Sequence, residues 1–180
     1  MPKAKKEQID FVKELQNKLN IKNVNAVPKV EKVILSCGIG SLVTRKGQKD
    51  FGEFENNLKR ISGQKARMIK SRKSISNFKL REGMPVMLQS TLRKKRAVEF
   101  LDRFVKLVLP RMRDFSGISS KSFDPSGVLN IGIPNYNIFP ELGLDDVTIP
   151  MGIQITIVTS SKNIEQSKAL LEALGFVFKL

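Results

Sequence analysis

The chain has 180 residues and a net charge of +15, from 32 Lys or Arg against 17 Asp or Glu. It contains no His and no Trp, one Cys and one Tyr. That composition excludes Ser-His-Asp and Cys-His catalysis, His-ligated zinc, Cys-cluster metal sites and an intramolecular disulfide framework. With 41% hydrophobic residues the chain has enough apolar side chain for a core.

Residues 6–19 place Ile9, Val12, Leu15 and Leu19 at helical spacing, which predicts an amphipathic N-terminal helix within 1–21. The remainder, 22–180, reads as one domain. VEKVILSC (30–37) is β-branched and predicts a strand, broken by Gly38 and Gly40. A helix is expected over 48–62, with Phe51, Phe54, Leu58 and Ile61 on one face and Gly63 as its left-handed cap. KARMIKS (65–71) and VMLQSTLR (86–93) predict strands on either side of a long loop. Residues 96–109 are apolar on most sides and predict a core helix closed by Pro110. Gly and Ser make 114–127 a connection. VLNIGI (128–133) and IQITIVTS (153–160) are expected strands around a Pro- and Gly-punctuated stretch. Asn163 with Gln166 predicts a capping box for a last helix, 164–174, stopped by Gly175. About four helices and five amphipathic strands in this order imply an α+β fold, a mostly antiparallel sheet with helices on one face.

The charge is concentrated. Residues 65–96 carry eleven Lys or Arg against Glu82 alone, a net +10, whereas residues 97–180 are close to neutral. Such a window repels itself unless an anion relieves it, so it points to a polyanionic partner. Within it, SRKSISNFKLREGMP (71–85) alternates cations with hydroxyls, an amide and Phe78, the residue types that neutralise phosphate, bond 2′-hydroxyls and stack on bases. The bland alternative is a loop tacked to its own core by Ile75, Phe78 and Leu80. RKKR (93–96) falls near a helix start, where the macrodipole disfavours cations unless a phosphate lies close or the cations sit in the preceding turn. Gly38-x-Gly40 lacks the third glycine of a nucleotide-binding turn. Asp145-Asp146 and Glu53/Glu55 stand apart from other ligands, so no metal site and no cofactor is expected.

No segment approaches the ~20 apolar residues of a membrane span. MPKAKKEQIDF lacks a signal-peptide core, and Glu7, Asp10 and Glu14 argue against a transit peptide. A reduced, cytoplasmic setting fits, with Cys37 as a small buried apolar residue. Two other classes are weaker. An RNA-modifying or RNA-processing enzyme would use an Asp such as Asp114 or Asp124, and a peripheral membrane protein would attach through the N-terminal helix. The first lacks an acid–base pair, and the second has acids on the helix and only a narrow apolar stripe.

VPKVEKVILSCGIG (27–40), ISGQK (61–65), KSRKSISNFKLREGMP (70–85), TLR (91–93), EFLDRFVKLVLPRMRDFSG (99–117), SFD (122–124), IFPEL (138–142) and ITIVTSS (155–161) follow one another in an order that resembles one family. It is the fifth large-subunit ribosomal protein, bacterial type. The resemblance covers about residues 22–178, and the N-terminal helix is similar as well. It implies a structural, non-catalytic RNA-binding protein, ribosome-bound in the cytoplasm, in the central protuberance of the large subunit. The implied partners are 5S rRNA, 23S rRNA, the P-site tRNA elbow (reached by the loop at about 72–85), neighbouring large-subunit proteins and a small-subunit head protein across an inter-subunit bridge. By motif position, Ser36, Gly38, Gly40, Gln64, Lys65, Thr91 and Arg93 would face 5S rRNA, and Arg72, Lys73, Ser74, Ser76, Phe78, Lys79 and Arg81 the tRNA. The chain departs from the pattern at Ser36, where Asn is common, at Ser116, where a cation is usual, and at Pro125, where Phe-Asp-Gly reads Phe-Asp-Pro.

Overall fold

The protein is described here from a computed structural model, which covers residues 13–21, 23–46, 50–113, 115–143, 149–161 and 163–179, without the side chains of 45 and 46. Five strands form one antiparallel sheet: β1 (Val30–Gly38), β2 (Arg67–Lys70), β3 (Pro85–Arg93), β4 (Leu129–Ile133) and β5 (Ile153–Thr159), in the order β2-β3-β1-β5-β4. The helices are α1 (13–19), α2 (Gly40–Lys46), α3 (Gly52–Ser62), α4 (Lys95–Arg103) and α5 (Ile164–Ala173). The predicted α+β architecture is the observed one.

Strict alternation along the strands separates the two faces. On the closed face Leu88, Cys37, Ile153 and Ile133 line up across the sheet. Beside them run Ser90, Leu35, Ile155 and Ile131, then Leu92, Val33, Ile157 and Leu129, and all twelve are buried. Burial raises the Cys37 thiol to about 11, so the cysteine behaves as a small apolar residue. The helices close this face. Phe104 stacks with Phe100 at 6.0 Å and Phe139 at 6.4 Å and meets Phe176 at 6.1 Å, joining α4 to the 134–152 segment and the C-terminal stretch. Arg103 ties the same parts from outside, donating from Nη1 to Glu141 Oε1 at 2.6 Å and from Nη2 to the Ile61 carbonyl at 3.4 Å. Leu15 of α1 is buried against Val27 and Leu170, with Lys18 paired to Glu172 at 2.7 Å. Residues 1–12 of the expected N-terminal helix, like Asp145 and Asp146, lie outside the described residues.

Three local expectations change. After Gly40 the chain does not simply turn but forms α2, whose Leu42 is buried and whose Thr44 hydroxyl donates back to the Gly40 carbonyl at 3.0 Å. Val43 and Thr44 are poor helix formers, so packing rather than propensity makes this helix. The core helix is not uniform. It passes at Phe104–Val108 into a π turn and ends in a 3-10 turn, Leu109–Arg111, with Pro110 inside that turn rather than beyond it. The Pro110 ring cannot donate a backbone bond and crowds the carbonyl four residues back, and the widened turn makes room for it. The capping box does not form, for the Asn163 side chain makes no cap bond. In its place Thr159, Ser161 and Ser167 join their buried hydroxyls in a ring, fastening α5 to the end of β5. Gly63, as expected, caps α3 at φ 67°, donating to the Lys59 carbonyl at 2.8 Å.

Pro125 has a plain explanation. Residues 124–127 form a turn closed by Gly127 N–H to the Asp124 carbonyl at 2.9 Å, and Pro at the second position presets its φ. Gly127 has φ 78°, and a Cβ there would stand 2.7 Å from Ser167 Oγ, so the residue is needed both for the turn and for the hydroxyl ring.

Ser90 is the one hydroxyl in the buried rows. It is 1% exposed, and its Oγ has no partner among the described residues. Ser90→Ala removes an unpaired buried polar group, and the variant is expected to be more stable by about 1 kcal/mol in urea denaturation. A loss of stability would show that the hydroxyl is bonded in the folded protein.

Candidate nucleic-acid interface

The other face of the sheet is half-buried or exposed. It presents Ile69 and Arg67 on β2, Met87, Gln89, Thr91 and Arg93 on β3, Lys32, Ile34 and Ser36 on β1, Gln154, Thr156 and Val158 on β5, and Asn130 and Gly132 on β4. This face is uncharged at its middle and cationic toward β2, β3 and the β1 start, and none of these side chains is a carboxylate.

The residues assigned by motif to 5S rRNA all belong to this surface or its margins, but they are spread along it. Ser36 and Thr91 lie on the face itself, in adjacent rows. Gly38 ends β1 opposite Met87, and Gly40 opens α2 beside Val86. Gln64, Lys65 and Arg93 sit at the far end, about six residues of strand away, roughly 20 Å. There Gln64 donates from Nε2 to the Thr91 carbonyl at 3.4 Å and accepts from Arg96 Nη1 at 3.4 Å.

The basic loop folds on itself as the turn of the β2–β3 hairpin. Ser71 N–H donates to the Met84 carbonyl at 2.7 Å, and Ile75 and Leu80 exchange bonds at 2.9 and 3.1 Å around a 3-10 turn, Ser76–Phe78. Lys79 closes that turn at φ 52°. The loop is not tacked to the core: Phe78 is 71% exposed and Ile75 43%. Arg72, Lys73, Ser76, Lys79 and Arg81 are exposed as the sequence suggested. Ser74 is only partly available, because its Oγ accepts the Glu82 backbone N–H at 3.0 Å and so holds the loop closed.

The two candidate sets meet at one point. Both long hairpin connections, 71–84 and 134–152, leave the sheet at the end where β1 runs into α2. A groove of about 690 Å³ there is lined by Gly40, Ser41 and Thr44 from one side and Asn77, Phe78 and Lys79 from the other. The groove joins the loop tip to the end of the sheet where β1 passes into α2, while Gln64 and Arg93 lie at the opposite end of the strands. Sequence reasoning missed this groove because the fold of the hairpin brings its two sides together, and it missed α2 as one of its walls.

Electrostatically the surface is unrelieved. Of the eleven cations in 65–96, Lys95 alone pairs with a carboxylate among the described residues, Glu99 at 3.5 Å, on an exposed helix turn. For RKKR the boundary is now fixed: Arg93 ends β3, Lys94 is the N-cap residue, and Lys95 and Arg96 occupy the first turn, which holds no acid. Lys94 has φ 51° and ψ −130°, a region open to glycine and strained for lysine. Asp124 is already engaged, accepting from Asn130 Nδ2 at 3.2 Å, and Asp114 lies outside the described residues.

Two family models match in succession, Ribosomal protein L5 over residues 23–81 and the C-terminus of the same ribosomal family over 85–178. The chain belongs to the ribosomal protein L5 family. It is thus a structural ribosomal protein and not an enzyme. Among its relatives, the large ribosomal subunit protein uL5 of Trichlorobacter lovleyi is 43% identical over 172 residues, 96% of this chain and 95% of the relative. That of Syntrophotalea carbinolica is 46% identical over 164 residues, 91% and 88% of the two chains. Geobacter sulfurreducens uL5 is 42% identical over 170 residues, 94% of each.

Gly38 and Lys94 allow two tests of this L5-family face. A Cβ at Gly38 would meet nothing within 4 Å, and its φ is not left-handed, so the fold does not require glycine there. Glycine in a strand costs about 0.5–1 kcal/mol, which points to close approach of something outside the chain. Gly38→Ala should leave the melting temperature equal or higher while weakening RNA binding. A fall in melting temperature would refute this. Lys94→Gly should raise stability by about 1 kcal/mol through relief of backbone strain and lower RNA affinity, both read in the same preparation.

Proposed function

We propose that the chain is a structural constituent of the large ribosomal subunit that binds 5S rRNA and 23S rRNA in the central protuberance. On this reading Ser36, Gly38, Gly40, Gln64, Lys65, Thr91 and Arg93 hold 5S rRNA. Arg72, Lys73, Ser74, Ser76, Phe78, Lys79 and Arg81 reach the P-site tRNA from the hairpin tip. The protein works ribosome-bound in the bacterial cytoplasm, beside other large-subunit proteins, and meets a small-subunit head protein in an inter-subunit bridge. The N-terminal helix, 1–21, is an appendage of the single domain 22–180. No helix among the described residues is long and apolar enough to cross a membrane.

One observation carries the RNA reading: ten cations in 65–96, without a carboxylate partner among the described residues, flank the β2–β3 side of an open sheet face of amides, hydroxyls and bare backbone. Cations supply affinity to any phosphate chain, whereas neutral donors and acceptors discriminate one RNA surface from another. An exposed aromatic at the hairpin tip adds a stacking platform for an unpaired base. The chain supplies position and charge and carries out no reaction.

Binding of the purified protein to a 5S rRNA transcript, followed by fluorescence anisotropy, tests the proposal. If about five phosphates are neutralised, log affinity falls against log salt with a slope of about −3.5 to −4.5. Absence of binding at low salt would sink the reading. Replacing Lys70, Arg72 and Lys73 together by Ala should weaken RNA or tRNA binding while the melting temperature stays within a few degrees, since all three lie in or beside the self-contained loop. A large drop in thermal stability would make these residues structural instead.

A further inference from the structure

The two edges of the sheet are left differently. At the outer edge of β4, Phe123 bridges to Leu129 and the Asp124 N–H donates to the Val128 carbonyl at 2.9 Å, so the preceding turn covers the start of that strand. Strand β2 pairs with β3 alone, and among the described residues no backbone–backbone bond reaches Arg67–Lys70 from the other side. Such an edge is a row of free N–H and C=O groups at the spacing of another strand.

The side chains along this edge form a pattern. Met68 lies opposite Leu88 on the closed face and Ile69 opposite Met87 on the open face, and both are only half-buried. Arg67 and Lys70 are exposed on either side of them. Lys65, Arg72 and Lys73 extend the cationic run, and no carboxylate lies between Lys65 and Lys73. Cations on an edge strand ordinarily keep chains apart. That accounts for Arg67 and Lys70 but leaves Ile69 unexplained, an apolar β-branched residue on the uncovered face with Met87 on one side and no strand on the other.

Charge and hydrogen bonding decide what can pair there. A second copy aligned along the whole strand would put Arg67 opposite Lys70 if antiparallel, and each cation opposite itself if parallel. A phosphate chain would satisfy the cations, but phosphate oxygens accept and do not donate, so they would leave the edge carbonyls unanswered. An extended peptide answers both kinds of backbone group, and carboxylates on it would meet Arg67 and Lys70.

We propose that the outer edge of β2 is a docking site for an extended acidic segment of another protein. The segment adds to the sheet as a further strand, with acids opposite Arg67 and Lys70 and apolar residues opposite Met68 and Ile69. This does not depend on the RNA-binding reading, whose assigned residues lie outside β2.

The test titrates the isotope-labelled full chain with the synthetic peptide Thr-Glu-Val-Val-Glu-Thr and with two versions of it N-methylated on alternate residues. The amide signals of Arg67–Lys70 should shift with the parent peptide. One methylated version should bind about ten-fold more weakly, as expected from one or two lost hydrogen bonds, and the other about as well as the parent. Arg67→Glu combined with Lys70→Glu should lower affinity for the acidic peptide about ten-fold or more and create binding of Thr-Lys-Val-Val-Lys-Thr. Ile69→Thr, which changes no charge, should weaken the parent peptide about three-fold, with the melting temperature recorded for each variant. Equal binding of all three acidic peptides would reduce the site to charge attraction, and absence of shifts at Arg67–Lys70 would remove it; either result overturns the proposal. So would a short oligouridylate that shifts the same amides and binds more tightly, since the edge would then be an RNA contact. Dimerisation of the chain through β2 in sedimentation would overturn it too, the occupant being a second copy. Failure of the parent chain to bind 5S rRNA would sink the RNA-binding reading and leave this one standing.

Discussion

Strand β1 is paired on both edges, and its two-residue alternation fixes nearly everything else. Val33, Leu35 and Cys37 are each the middle of a buried row, so the register with β3 and with β5 is specified by the same three side chains. A slip of one residue against either neighbour would turn Lys32, Ile34 and Ser36 into the core and expose the apolar set. Because one face must be covered, α3, α4 and the Phe104 cluster are committed to it. The opposite face is left open by the same rule, and polar residues can occupy it without cost to the core.

That division also separates two kinds of stability. The closed face is dense and apolar, with Ser90 as the unpartnered hydroxyl of its rows. The open side carries features that a protein evolved for stability alone would lose: a strained lysine at the β3–α4 corner, glycines in strands with room for a side chain, and a cluster of cations facing few carboxylates. Each is a small loss in the isolated chain. Each becomes reasonable when a phosphate-bearing surface lies against it, since the partner supplies the missing charge and occupies the missing volume.

Much of this was legible in the residues. All five strands were anticipated, and β-branched β1 and the alternating Ile153/Ile155/Ile157 series of β5 were the plainest, because burial on one face leaves a two-residue signature. The charge window and the basic hairpin were legible too, since uncompensated charge is a property of composition. What could not be read was made by tertiary contact. The short helix after Gly40 has weak propensity and exists through Leu42. The π turn at Phe104 answers a proline six residues on. The expected cap at Asn163 lost to a hydroxyl ring whose members come from β5, α5 and the turn between them. The candidate site was opaque for the same reason. Its residue types were recognisable, but strand register alone joins Ser36 to Gln154, and only the folded hairpin brings Phe78 across a groove from Gly40.

The strand order has a consequence for how the chain is made. Synthesis delivers β1, β2 and β3 first, and these can already pair as a three-stranded unit with α3 against it. The other edge of β1, rich in Val, Ile and Leu, must then wait for β5, which emerges only after α4 and β4. Until β5 emerges the nascent protein therefore carries an unpaired apolar strand edge, the kind of surface that captures other chains. Closing that edge requires a long-range contact, a kind of pairing that forms slowly. The sheet is completed, and its open face given its final width, only when β5 has left the tunnel.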